Sequence, residues 1–336
     1  MNDTTRRDHP FHAGELAVQQ RLGVADRLRV IGQQVVRTHL PQQHRGFFAQ
    51  LPFVLVGSVD AQQRPWASVL VGEPGFIGSP DDRTLSLAAR PVPGDPLAEG
   101  LTPGAPLGFL GIELHTARRN RVNGRVSEVG DHGFAVSVEQ TVGNCPQYIQ
   151  GRDMEWARDA GDLQPRQREA LTALDAPARA LIAQADTLFI ASHAPGAGAD
   201  VSHRGGRAGF VHIEDDHTFL VPDFRGNFMF MTLGNLAVNP RAGVLFIDFD
   251  TGDLLTLTGR AEVVWEGELL NTIAAFQGAQ RAWRFHLDAG WRLSEALPLR
   301  WRFRDWSPQL QNTDTSEETA ASAAPDRRAA RQPPGR

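Results

Sequence analysis

The chain repeats itself. Laid on itself without gaps, Phe53-Val-Leu-Val-Gly-Ser58 falls on Thr187-Leu-Phe-Ile-Ala-Ser192, Ser68 on Ser202, and Gly75-Phe-Ile77 on Gly209-Phe-Val211. After a one-residue slip, Gly108-Phe-Leu-Gly-Ile-Glu-Leu-His-Thr116 falls on Gly243-Val-Leu-Phe-Ile-Asp-Phe-Asp-Thr251, and Gly124-Arg125 on Gly259-Arg260. Small residues, an acidic position and a closing Gly-Arg in register are more than two β-rich stretches share by chance, so the pattern implies a duplicated unit. Both copies consist of short apolar or alternating runs between Gly/Pro turns, such as Trp66-Ala-Ser-Val-Leu-Val71, Thr84-Leu-Ser-Leu87 and Phe134-Ala-Val-Ser-Val138. That texture is antiparallel β. The 336 residues leave room for two such domains.

The boundaries follow from changes in texture. Residues 1–50 read as an N-terminal arm and helices, with Gly14–Leu22 and Ala25–Val36 helical and Leu28, Ile31 and Val35 on one stripe. Residues 51–143 form the first unit, and 144–185 a linker with a helix over Gln164–Ala183, where Pro177 is the weak point. Residues 186–306 form the second unit. It closes on a helix over Glu266–Phe285, with Leu269, Ile273, Phe276 and Trp283 on one side, and on an alternating strand, Trp301–Trp306. Residues 307–336 are Ala/Pro/Arg-rich and read as a disordered tail.

Composition excludes several chemistries. The net charge of -5 favours neither nucleic acid nor an anionic membrane as a partner. No apolar run approaches a membrane span, and Met1-Asn-Asp-Thr-Thr-Arg-Arg7 leads into polar sequence, so a cytoplasmic protein is expected. A single cysteine, Cys145, excludes an intrachain disulfide and a multi-cysteine zinc site. All 34 basic residues are Arg. Without lysine there is no Schiff base and no P-loop, so a phosphate must be held by Arg, hydroxyls, amides and backbone.

Several motifs fail. Gly196-Ala-Gly198 lacks the third glycine of a dinucleotide loop, because position 201 is Val. His212, Glu214, Asp215, Asp216 and His217 fall where a hairpin turn is expected and read as a solvated acidic turn, not a metal site. Arg118-Arg-Asn-Arg121 reads as a hairpin end with solvated charges. No Gly-x-Ser-x-Gly elbow is present. What survives is Pro222-Asp-Phe-Arg-Gly-Asn-Phe-Met-Phe-Met-Thr-Leu-Gly-Asn-Leu236. It offers a guanidinium (Arg225), two amides (Asn227, Asn235) and a hydroxyl (Thr232) where a helix begins, a set that suits a phosphate dianion. The alternative is a strand, a turn and a helix that Thr232 merely caps.

Three stretches of the second unit, Asp200-Val-Ser-His-Arg-Gly-Gly-Arg-Ala-Gly-Phe210, Pro222–Asn227 and Thr232–Asp248, resemble the FMN-binding split-barrel family related to pyridoxamine 5'-phosphate oxidase. Phe11-His-Ala-Gly-Glu15 and Asn144-Cys-Pro-Gln-Tyr-Ile-Gln150 resemble signatures of a tandem subgroup. The resemblance implies a mainly β (α+β) fold of two tandem antiparallel split β-barrels with flanking helices. It implies FMN, its phosphate near Arg225, Asn227, Thr232 and Asn235 and its ring near Ser202 and Arg204. A positive charge at the ring's pyrimidine edge favours its reduced, anionic form. Ser202 and Arg204 are otherwise outward-facing strand residues. Phe228, Met229 and Phe230 depart from the family, and Ala88–Leu97 of the first unit has lost the Arg-Gly-Asn pattern, so one FMN site is expected.

Barrels of this family pair. Here the halves supply an intrachain pseudo-dimer, or the chain forms a homodimer, with Asn144, Tyr148 and Gln150 facing flavin or a small-molecule substrate; a strand exit with Tyr148 packed is equally open. The implied function is an FMN-dependent oxidoreductase exchanging hydride with a small reductant such as NAD(P)H. The alternatives are a non-catalytic flavin carrier or sensor, and a haem-handling protein using His193 or His203.

Overall fold

The computed structural model describes residues 10–266, 273 and 276–311. Three helices come first, α1 (Ala13–Arg21), α2 (Ala25–Val35) and α3 (Gln42–Ala49). The first sheet is built from β1 (Phe53–Val59), β2 (Pro65–Val71), β3 (Ile77–Gly78), β4 (Thr84–Leu87), β5 (Pro106–Glu113), β6 (Arg118–Gly130) and β7 (Gly133–Asn144), with α4 (Leu97–Gly100) before β5. Then come β8 (Gly151–Trp156), β9 (Gln167–Leu171) and α5 (Ala176–Gln184). The second sheet uses β10 (Thr187–Ala194), β11 (Gly198–Gly205), β12 (His212–Ile213), β13 (Thr218–Asp223), β14 (Arg241–Ile247), β15 (Leu254–Val264) and β16 (Arg281–Ser294), with α6 (Met231–Val238) before β14. The chain closes on β17 (Leu299–Asp305), which pairs β8, and α7 (Pro308–Gln311).

The fold is mainly β and its paired strands are antiparallel. The two large sheets run β2-β1-β5-β6-β7-β4-β3 and β11-β10-β14-β15-β16-β13-β12, the same order strand for strand. Their adjoining faces share one core, in which Phe53, Leu55, Ala67 and Val69 pack with Phe189, Ala191, Val201 and Leu245. Glycine sets the distance between them. A Cβ on Gly108 would lie 2.6 Å from the Ala199 carbonyl oxygen, and one on Gly243 would lie 2.5 Å from the Pro65 oxygen. Gly108 and Gly243 are equivalent in the internal alignment, as are Pro65 and Ala199, so the contacts are reciprocal.

Two expected helices differ. Within Gln164–Ala183, residues 167–171 form β9, an edge strand on β16. The helix begins after Asp175, whose carboxylate caps it by accepting from the Ala178 amide at 2.9 Å, with Pro177 in the first turn. Of Glu266–Phe285, residues 267–272 and 274–275 lie outside the described residues, and 281–285 begin β16. There Trp283, Phe285 and Leu287 point inward, while His286 and Asp288 face solvent. The stretch from 312 onward lies outside the described residues.

One surface glycine supplies a check on local propensity. Gly46 sits inside α3, and a methyl group added there would meet nothing within 4 Å. Gly46→Ala is therefore expected to raise stability by about 0.5–1 kcal/mol in urea unfolding.

Candidate functional site

A partly open cavity of about 120 Å³ lies where the two units meet. The first unit supplies Arg119 and Arg121 from β6, with Asn144, Cys145 and Tyr148 at and just beyond the end of β7. The second supplies Ser202, His203 and Arg204 from β11, the end of β13, and the turn into α6 as far as Leu233. The volume is below the roughly 300–1,000 Å³ of a typical small-molecule pocket, so the enclosed part suits a group the size of a phosphate.

Thr232 does not cap α6. The cap residue is Phe230, in a left-handed conformation and with no side-chain hydrogen bond. The Thr232 hydroxyl lies 2.9 Å from Ser202 Oγ, which also accepts from Arg121 at 2.5 Å. Whichever hydroxyl donates to the other, one hydrogen of the Ser202–Thr232 pair is left without an acceptor among the described residues and is available to a ligand.

Charge is unbalanced around this pair. Arg121, 4% exposed, pairs with Asp200 at 3.1 Å. Arg204 and Arg281 share Asp223, at 3.5 and 3.0 Å. Arg119 meets neutral acceptors, the Cys145 carbonyl at 2.7 Å, His203 Nδ1 at 3.1 Å and the Gln147 carbonyl at 3.5 Å, and has no carboxylate partner among the described residues. Burial, together with Arg204 and Arg121, lowers its pKa to about 10, so it stays charged at neutral pH. Burial and the neighbouring arginines, Arg119 first, push His203 well below the usual histidine range. Since a guanidinium only donates, His203 Nδ1 accepts and Nε2 carries the hydrogen. Among the described residues that Nε2 has no partner, nor do Arg121 Nε and Arg204 Nε. Buried donors left unpaired are costly, and an anion with several acceptor oxygens would relieve them.

The apolar side of the cavity is strained. Tyr148, Phe228 and Phe230 all line it and all have positive φ, at 63°, 61° and 60°. Such conformations cost on the order of 1–3 kcal/mol each and gather at functional sites. Tyr148 stacks on Phe224 with ring centroids 5.2 Å apart, and its hydroxyl donates to the Arg225 carbonyl at 3.3 Å.

The residues singled out in the sequence separate into two groups. Ser202, Arg204, Asn227, Thr232, Asn144 and Tyr148 line the cavity. Arg225 is exposed, outside the lining, with its guanidinium 5.6 Å from the Phe228 ring. Asn235 is buried among Ser192, Asp200 and His12. Gln150 is committed to Gly206 and Ser307. His193 does not line the cavity. The acidic turn is taken up by ion pairs, Glu214 with Arg284 and Asp216 with Arg179. The reading of Arg118–Arg121 as solvated charge is wrong for Arg121, which is buried, and Arg119 also lines the cavity. Alternation was the usable signal, because Arg119, Arg121 and Asn123 share one face of a strand.

Residues 174–293 match the family model described as pyridoxamine 5'-phosphate oxidase. The second unit is similar to that family over those residues. The match spans every second-unit residue of the cavity wall. No curated protein matches the chain significantly. Similar solved structures include HupZ of Group A Streptococcus, at 16% identity over 36% of this chain and 99% of that one, TM-score 0.30. A FAD-binding protein of Mesorhizobium loti shows 12% identity over 38% and 97%, TM-score 0.27. HutZ, the heme storage protein of Vibrio cholerae, shows 16% identity over 36% and 94%, TM-score 0.25.

Proposed function

We propose that the cavity binds FMN and that the chain is an FMN-dependent oxidoreductase of two tandem split barrels, paired within one chain as a pseudo-dimer. The observation that carries this is the surplus of guanidinium charge around the Ser202–Thr232 hydroxyls, where buried Arg121 and half-buried Arg119 and Arg204, with Arg281, face only the carboxylates of Asp200 and Asp223. The residues fit the group. Arg121, Arg204, Ser202 and Thr232 would hold the phosphate, while Tyr148, Phe224 and Phe228 offer apolar surface on the open side. Bound there, FMN would supply hydride exchange between a small reductant such as NAD(P)H and a small-molecule substrate. The chain's own part is to hold negative charge and to limit water.

The equivalent place on the other side of the seam supports one site per chain. In the internal alignment Arg119 and Arg121 correspond to Leu254 and Thr256. Leu254 is in the shared core, and Thr256 donates to the Ala67 carbonyl at 3.0 Å. The haem reading has less support, because His203 Nδ1 is engaged by Arg119 and His193 lies elsewhere.

Titration of the purified chain with FMN and with riboflavin tests the reading. The phosphate makes charge-assisted hydrogen bonds worth about 1.5–3 kcal/mol each, so FMN is expected to bind at least about 100-fold more tightly. Equal affinities would remove the phosphate cradle. Anaerobic bleaching by NADH or NADPH separates an oxidoreductase from a carrier, and a Soret band on adding haem would favour the third reading. Arg225→Ala is expected to change FMN affinity less than about threefold, as befits an exposed cation outside the wall.

A further inference from the structure

The enclosed volume of about 120 Å³ admits a phosphate but not a three-ring flavin, so a ring can enter only where the wall gives way. Most of the wall is fixed. Arg119 and Arg121 stand on β6, which is paired on both sides, and Ser202 and Arg204 on β11, which pairs with β10 along its whole length. The turn Phe224–Phe228 belongs to neither strand nor helix, and its residues 225–227 are exposed.

Both ends of this turn are anchored. Asp223 is paired with Arg281 in the β13–β16 ladder, and the Met229 carbonyl accepts from buried Gln19 at 3.1 Å. Phe228 leans on the core cluster of Phe11 and Leu28. Asn227 serves the turn internally, accepting from the Met229 amide at 3.1 Å. Among the described residues, Tyr148 is the one group beyond 229 or before 224 that hydrogen-bonds to 224–228. Its hydroxyl donates to the Arg225 carbonyl at 3.3 Å and its ring stacks on Phe224.

Tyr148 is itself a firm post. Its amide donates to Ser307 Oγ at 3.0 Å, its carbonyl accepts from Gln150 at 3.3 Å, and a Cβ on Gly205 would lie 2.1 Å from that carbonyl. Left-handed residues stand on both sides of the closure, Tyr148 at φ 63° and Phe228 at φ 61°. Strain of this kind persists only where the surroundings enforce it.

We propose that Tyr148 is a positioning residue that gates the cavity: its ring and hydroxyl hold the turn 224–228 shut over the flavin-free site, and a flavin ring enters by parting the two. The gate rests on the flavin reading for what enters, and the latch in the free chain does not. The hydroxyl contact exists only in the closed form. It therefore opposes binding, by lowering the fraction of chains able to admit a ring.

Tyr148→Phe keeps the ring and the stack and removes only the hydroxyl. Limited trypsin digestion of the flavin-free full chain reads the latch directly, because the bond after Arg225 is the one whose carbonyl Tyr148 holds. A protease takes that bond from the open turn. Cleavage after Arg225 is expected to be at least about threefold faster in the variant, with cleavage after Arg83, an exposed arginine of the first unit, unchanged. Equal rates at Arg225 overturn the proposal. Stopped-flow mixing with FMN reads the gate. Association is expected to be at least about threefold faster in the variant, with dissociation unchanged and Kd lower by the same factor. Unchanged or slower association overturns it. Faster cleavage with no FMN binding to either protein would sink the flavin site and the gate with it. FMN binding at equal rates to both, with equal cleavage, would sink the gate and leave the flavin site standing.

Discussion

Arg121→Met is expected to lower stability by about 3–5 kcal/mol and to abolish FMN binding, the first measured by urea unfolding and the second by flavin titration. The side chain is 4% exposed and its charge is met by Asp200. Methionine matches much of its length but none of its charge. Among the described residues Asp200 would then keep only the amides of Asn123 and Asn235, at 2.6 and 2.9 Å. An uncompensated buried carboxylate either destabilises the fold or takes up a proton, so the loss should shrink at low pH. The double variant Arg121→Met with Asp200→Asn removes both charges and is expected to recover at least about half of the lost stability. It should still not bind FMN, because the guanidinium that donates to Ser202 is gone. A single variant within about 1 kcal/mol of wild type would show that the ion pair is not a strut between the units.

Much of this architecture is legible in the sequence. The antiparallel texture, α1, α2, β17 and the strand–turn–helix around Thr232 all lie where hydrophobic periodicity and turn residues put them. Misreadings have local causes. Residues 167–171, Gln-Arg-Glu-Ala-Leu, have the composition of a helix, and only pairing with β16 makes them a strand. Trp283 fits a helical spacing with Phe276 as well as it fits alternation with Phe285 and Leu287, and the sheet decided between them. Arg119 and Arg121 looked like solvated charge because nothing local reveals that a second unit covers that face. Arg225 and Asn235 looked like phosphate ligands by their place in a motif. The turn leaves the first outside the wall, and the helix turns the second towards Asp200.

Gly243→Val is expected to cost at least about 3 kcal/mol in urea unfolding, because the neighbour it meets cannot move. That neighbour is the Pro65 carbonyl, 2.5 Å from the position a Cβ would take. The same oxygen accepts from the Thr258 hydroxyl at 2.9 Å, and Pro65 is held in register opposite Val59. Relief would require β2 to part from β14 and β15 and to open the shared core. The reciprocal variant, Gly108→Val, presses on the Ala199 carbonyl and on Asp200 Cα, at 2.6 and 2.7 Å, and should cost a similar amount. It differs in consequence, because Asp200 anchors Arg121 and so the cavity. Gly108→Val is expected to weaken FMN binding in protein that remains folded, whereas Gly243→Val, on the side filled by Leu254 and Thr256, should leave affinity nearly unchanged. Together the two should cost less than their sum, since a seam opened at one glycine has already relieved the other. Fully additive losses would mean that the two contacts belong to independent packing sites and not to one internal pairing of the two sheets.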